Sequence, residues 1–281
     1  MTITAGIDVG GSYTKVLVLE DDQIIGRAML RTGYKPGIAA QECLVSGLAD
    51  AGIVRDSLDY VVATGFGRFQ VPFSQVNVTE LTAASWGAHA LFPETRTILD
   101  VGGHAVKASR IDGGRQVKSF RLNEKCAAGT GAFLEKTARY MGFETEQIGS
   151  LADTSNVDVS ISGVCTVFAE AEVINHLSQG VAAADIMHGA IVSLVGKSVQ
   201  LMKRVKVEPE ITLIGGIMRF PTMVSAVREK LTGVVNVPEG DLVQFVAVLG
   251  AATLAQHQVR RIAEGGASAD ELVASVTAKA S

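Results

Sequence analysis

The chain opens with an apolar run over Ile3–Val9 that carries Asp8 near its end, breaks at Gly10 and Gly11, and resumes as an apolar run over 16–19. Short apolar runs bounded by turn formers read as buried strands. Two of them flanking glycines read as a hairpin. The same wording returns later in the chain: Asp8-Val9-Gly10-Gly11, three residues and Lys15 match Asp100-Val101-Gly102-Gly103, three residues and Lys107. The second copy also follows an apolar run, through Ile98 and Leu99, and continues into another over 108–111. A third glycine pair, Gly215 and Gly216, ends the apolar run Ile211–Ile214 and precedes a helical pattern through Val224, Val227 and Leu231. Between these turns, apolar residues at three- and four-residue intervals predict helices over 132–141, 168–177 and 186–202.

Strands and helices therefore alternate, and the repeat divides the chain into two α/β lobes, each opening with one hairpin. The boundaries fall at 1–94 plus 241–281 for the first lobe and 95–240 for the second, with a nucleotide expected between them. An Asp at a strand end holds a cation through water, and glycine lets backbone N–H groups reach a phosphate. On that reading Asp8 and Asp100 are the catalytic carboxylates that position Mg²⁺. Gly10, Gly11, Ser12, Thr14, Lys15, Gly102 and Gly103 meet the phosphates of ATP, and Gly215 and Gly216 meet adenosine. Hairpins and strand-to-helix connections use glycine whether or not a ligand is present, so duplication of the motif carries more weight than any single turn.

Composition narrows the classes. With 281 residues, 47% of them hydrophobic and 19% charged, the chain can bury one large core or two lobes. A net charge of −4 and an aromatic content of 5% leave neither an electrostatic footprint nor a stacking platform for nucleic acid. The apolar stretch 242–255 is interrupted by Gln244 and Gly250 and is too short to span a bilayer, so no membrane partner is expected. The first residues enter a strand with no basic and apolar leader pattern, which makes the cytoplasm the expected location. Cys43, Cys126 and Cys165 point away from a disulfide framework and are too few for a closed tetrathiolate site within one chain. Cys126 and Cys165 each precede a predicted helix, where unpaired N–H groups and the macrodipole favour a thiolate or an anionic cluster. Cysteine is equally a small buried hydrophobe, and these two lack C-x-x-C spacing, so both readings stand at this point. Cys43, without a glycine or helix-start context, reads as packing on a surface helix.

Four segments together carry a family likeness: Gly6 to Ser12, Ala63-Thr64-Gly65-Phe66-Gly67-Arg68, Lys125-Cys126-Ala127-Ala128-Gly129-Thr130-Gly131 and Cys165-Thr166-Val167-Phe168-Ala169-Glu170. They resemble the BadF/BadG/BcrA/BcrD-type ATPases, the activators of 2-hydroxyacyl-CoA dehydratases and the ATPase subunits of benzoyl-CoA reductases. The resemblance implies the two-lobed actin/Hsp70/sugar-kinase fold (ribonuclease H-like) with internal duplication. It implies a dimer in which each chain gives Cys126 and Cys165 to one shared [4Fe–4S] cluster. It further implies that ATP with Mg²⁺ drives an electron from ferredoxin to catalytic reductase subunits. Two departures stand out: His104 and Ala105 follow Gly103 where the family often has Gln-Asp, and Ala84 stands where a His is usual. They favour one member of an unequal pair, most like the delta chain of benzoyl-CoA reductase and partnered by a homologous ATPase subunit, over a homodimeric dehydratase activator. A sugar or amino-sugar kinase of the same fold and a nucleotide-binding subunit without hydrolysis are the rival readings. Which acyl-CoA would be reduced is not legible.

Overall fold

The computed structural model describes residues 1–123, 130–162 and 165–265, which form two compact units, one of residues 1–93 with 245–265 and one of residues 94–244. In the first, β1 (Ile3–Val9), β2 (Tyr13–Glu20) and β3 (Gln23–Arg31) form an antiparallel meander. Then α1 (Pro36–Ala51) returns the chain to β4 (Tyr60–Thr64), parallel to β1, and the short β5 (Val76–Asn77) completes the sheet order β3-β2-β1-β4-β5. Helix α1 begins at a proline, whose missing N–H is not needed there, and stops at Gly52, whose φ of 68° few other residues adopt. Ile7, Val9, Val16 and Val18 pack with Leu44 and Leu48 of α1. Full burial of such side chains stabilises by roughly 1.5–3 kcal/mol each.

The alternation of β1 turns Thr4, Gly6 and Asp8 to the opposite face, which α8 (Val246–Ala263) covers. The Thr4 hydroxyl donates to the Ala252 carbonyl at 3.2 Å, and a Cβ on Gly6 would lie 2.2 Å from the Val248 carbonyl oxygen. Helix α2 (Glu80–Leu91), capped by the Thr79 hydroxyl accepting from the Thr82 N–H, packs on α8 through glycines: a Cβ on Gly87 would sit 1.9 Å from the Val246 oxygen, and one on Gly250 would sit 1.8 Å from the Ala83 oxygen.

The second unit repeats the strand plan. β6 (Thr97–Val101), β7 (Val106–Ile111) and β8 (Val117–Asn123) form the meander; β9 (Ile211–Ile214) lies parallel to β6, and β10 (Val235–Asn236) completes the order β10-β9-β6-β7-β8. Its helices are α3 (Gly131–Tyr140), α4 (Ile148–Ala152), α5 (Thr166–Ser178), α6 (Ala183–Lys203) and α7 (Pro221–Arg228). The spine is α6, on which Ile186, Met187, Ala190, Ile191, Leu194 and Val195 are fully buried. The expected helices coincide with α3, α5 and α6 to within one to three residues. The helix expected through Leu231 ends at Arg228 instead, where the chain turns toward β10.

Candidate functional site

In the first unit, β1 and β2 pair with Asp8 opposite Lys15, and Lys15 Nζ lies 3.5 Å from Asp8 Oδ2. The Gly10 N–H donates to the Tyr13 carbonyl at 3.1 Å and closes the turn. A Cβ on Gly10 would stand 2.9 Å from that same oxygen. From behind, the Thr32 hydroxyl donates to the Gly10 carbonyl at 2.7 Å and lies 3.0 Å from the Thr14 hydroxyl. Because the Thr32 proton is committed to Gly10, Thr14 is the donor of that pair. Thr14 is fully buried and braces the turn from inside, while the Ser12 carbonyl accepts from the Thr32 N–H at 3.0 Å.

Beyond β4, Gly65 takes a φ of +92°, and a Cβ there would lie 2.5 Å from Asp8 Oδ1. Outside the family motif, sequence reasoning assigns Gly65 no role. The signal that could have found it is an apolar strand running into glycine, the pattern that marks Gly215.

The second unit reproduces this arrangement. Asp100 stands opposite Lys107, with Lys107 Nζ 3.2 Å from Asp100 Oδ2, and the Gly102 N–H donates to the Ala105 carbonyl at 2.9 Å. Following β9, Gly215 has a φ of +101°, and a Cβ on it would lie 2.5 Å from Asp100 Oδ1. Both glycines are therefore required by backbone conformation and by contact.

The second turn also holds a helix. The N–H groups of Gly131 and Ala132, at the start of α3, donate to the carbonyls of Gly102 and Gly103 at 3.0 and 2.7 Å. A Cβ on Gly131 would lie 2.5 Å from Ile217 Cδ1, so the turn, the start of α3 and the segment after Gly216 meet in one place. Each hairpin thus offers carboxylate oxygens suited to hydrated Mg²⁺, an ammonium suited to phosphate, and backbone N–H groups at a glycine turn.

Cys165 is the N-cap residue of α5, partly exposed, with extended backbone (φ −141°, ψ 141°) and a carbonyl that accepts from the Ala169 N–H at 2.9 Å. Val167, Phe168 and Ile174 of the same helix are exposed. Cys126 lies outside the described residues. Cys43 faces the interior from α1, its thiol 3.3 Å from the Thr14 carbonyl, and burial pushes its pKa up to about 12, as befits a packed side chain. Among the described residues, no group of three or more His, Cys, Asp or Glu gathers around a metal-sized space. Among them, too, no helix is long and apolar enough to cross a membrane.

Known proteins resemble this chain in sequence and fold. The profile of the BadF/BadG/BcrA/BcrD ATPase family matches residues 5–255. A benzoyl-CoA reductase chain of Thauera aromatica is 31% identical over 278 residues, 95% of this chain and 97% of its own. The activator of the 2-hydroxyisocaproyl-CoA dehydratase from Clostridium difficile, solved with bound ADPNP, superposes with a TM-score of 0.88 at 31% identity, covering 95% of this chain and 99% of that one. A ROK-family glucokinase from Streptomyces griseus aligns with a TM-score of 0.58 over 91% of this chain and 99% of its own, at 14% identity, a likeness of fold alone. The fold is that of the actin/Hsp70/sugar-kinase ATPases.

Proposed function

Because the chain belongs to the BadF/BadG/BcrA/BcrD ATPase family, we propose that it is an ATP-hydrolysing electron-transfer component that activates an acyl-CoA dehydratase or reductase. The duplicated Asp–Lys hairpin carries this reading, the second copy being hydrogen-bonded to the start of α3. Asp8 and Asp100 hold Mg²⁺ through its waters. Gly10, Gly11, Ser12, Gly102 and Gly103 take phosphates, Lys15 offsets phosphate charge, and Gly215 and Gly216 meet adenosine. The residues fit the cation: Asp8 is 7% exposed, and its Oδ1 has no hydrogen-bond partner among the described residues, the condition of an oxygen awaiting a ligand.

Cys126 and Cys165 are proposed as the ligands this chain gives to a [4Fe–4S] cluster shared with a second chain. Cys165 fits that role: it is partly exposed, stands at a helix start, and adjoins exposed Val167 and Phe168, an apolar surface a second chain can cover. A bound cluster supplies one-electron transfer at low potential. This chain's part is to hold the thiolates and to couple them to nucleotide. The bonds from Gly131 and Ala132 to Gly102 and Gly103 tie the phosphate turn to the helix that follows Cys126, so a phosphate that shifts the turn shifts the start of that helix.

The two named relatives, each 31% identical, stand on the reductase and the dehydratase side alike, so the proposal stops at the class of partner. His104 and Ala105 favour the reductase reading, with an unequal second ATPase chain, because the carboxylate of the Gln-Asp pair expected near the phosphates is replaced by a methyl group. Ferredoxin as electron donor belongs to the same proposal. The test is ATP turnover in the complex assembled anaerobically with its partner. Asp8→Asn should lower turnover by about 10²-fold, the usual effect of removing one preorganised electrostatic contact. Wild-type protein that binds no nucleotide would refute the reading.

A further inference from the structure

The parallel strands beside the two hairpins differ at a buried position. Asp8 is in register with Thr64 on the parallel strand β4, whereas its twin Asp100 is in register with Ile214 on β9. Register partners on neighbouring parallel strands present their side chains on the same face, about 5 Å apart. Thr64 and Ile214 are both buried, at 0% and 1% exposure, and each is followed by the positive-φ glycine that closes over the aspartate. At such a position an apolar β-branched side chain satisfies the fold, as Ile214 does. A hydroxyl there carries a desolvation penalty unless it is hydrogen-bonded. Yet Thr64 Oγ1 has no partner among the described residues, and neither has the neighbouring Asp8 Oδ1.

Two orphaned oxygens thus stand side by side at the C-terminal ends of adjacent parallel strands, where open α/β sheets bind ligands. The carboxylate only accepts hydrogen bonds, while the hydroxyl both donates and accepts. A water held in the shell of a divalent cation answers both, donating to the carboxylate and to the hydroxyl, and Mg²⁺ characteristically keeps several of its waters. We infer that Thr64 is a positioning residue that, with Asp8, holds a water of the Mg²⁺–ATP complex. The inference rests on the function proposed above and deepens it: Thr64 adds a hydroxyl contact to a cation-bound water at the first hairpin, and Ile214 leaves the second hairpin without a counterpart.

Calorimetric titration of ATP at graded Mg²⁺ concentrations tests this on the purified chain, with Thr64→Val and Thr64→Ser beside the wild type. Thr64→Val should raise the Mg²⁺ concentration needed for half-maximal tight ATP binding by about three- to tenfold, the worth of one hydrogen bond, and Thr64→Ser should restore it. Melting without nucleotide supplies a second readout. Removing an unsatisfied buried hydroxyl should leave Tm of the Val variant unchanged or higher. Wild-type Mg²⁺ dependence in the Val variant overturns the inference whatever its Tm. If Thr64→Val does not fold, Thr64→Ala is judged by the same titration, and failure of both variants to fold makes the hydroxyl structural and overturns it equally. Wild-type protein that binds no ATP refutes the proposed function itself, whereas wild-type binding left unaltered by the variants refutes the role of Thr64 alone.

Discussion

The carboxylate of Asp185, near the start of α6, accepts three hydrogen bonds on Oδ1: from the Asn156 N–H at 2.8 Å, the Val157 N–H at 3.1 Å and the Ser155 hydroxyl at 2.9 Å. The two backbone N–H groups, with the hydroxyl behind them, hold its pKa below the usual carboxylate range. A depressed acid lends stability that is fully present above its unfolded pKa, near 4, and is lost as pH falls through the lower folded value. Asp185→Asn should therefore melt a few degrees below wild type at pH 7, with the difference constant from neutrality down to about pH 5 and shrinking below pH 4. Thermal scans across that range check it. Nothing in the sequence marks Asp185, because its partners lie 28–30 positions away. Asp8 and Asp100 are legible for the opposite reason: each shares a turn with its own lysine, and the turn occurs twice. Thr64 escapes notice because only the strand register reveals that it and Ile214 occupy equivalent places.

Among the elements, periodicity locates the long helices well, since each buries one face, but it says less about what some of them do. The apolar stretch 242–255 has the hydrophobicity of a span without the length. In the structure most of it is α8, whose composition answers to close packing instead. Gly250 is the reason α2 can approach so near, a carbonyl of α2 occupying the space a side chain would need. Gly250→Ala should destabilise the protein by about 3 kcal/mol, the upper range for overpacking a core, because the obstructing atom is backbone and cannot rotate away. Denaturant titration measures this; a loss below about 1 kcal/mol would mean that the helices can part without penalty. The start of α5 lies two residues ahead of the expected one, and Cys165 occupies the N-cap position there. Short strands such as β5 and β10, two residues each, have no period to detect.

For the molecule as a whole, the two-unit α/β plan follows from an internal repeat, while the proposed electron-transfer role rests on family likeness and on cysteines whose count falls short of a cluster within one chain. That shortfall becomes a stoichiometry. Anaerobically purified complex should contain about two irons per ATPase chain, half of a four-iron cluster, and Cys165→Ala should abolish both the iron and its electron paramagnetic signal while leaving ATP binding intact. Unchanged iron in that variant would remove Cys165 from the ligand set. Which acyl-CoA the proposed partner would act on is not legible, because in that scheme it binds on other subunits.

The order of the chain has its own effect on biosynthesis. Residues 94–244 are contiguous and can condense as soon as they leave the ribosome, but the first sheet must wait for α8, whose Val248 carbonyl abuts Gly6. At ordinary elongation speeds that delay is roughly ten to thirty seconds. During it the Thr4–Gly6 side of the nascent sheet is bare, because the helix that shields the first strand is translated only after the whole of the second unit.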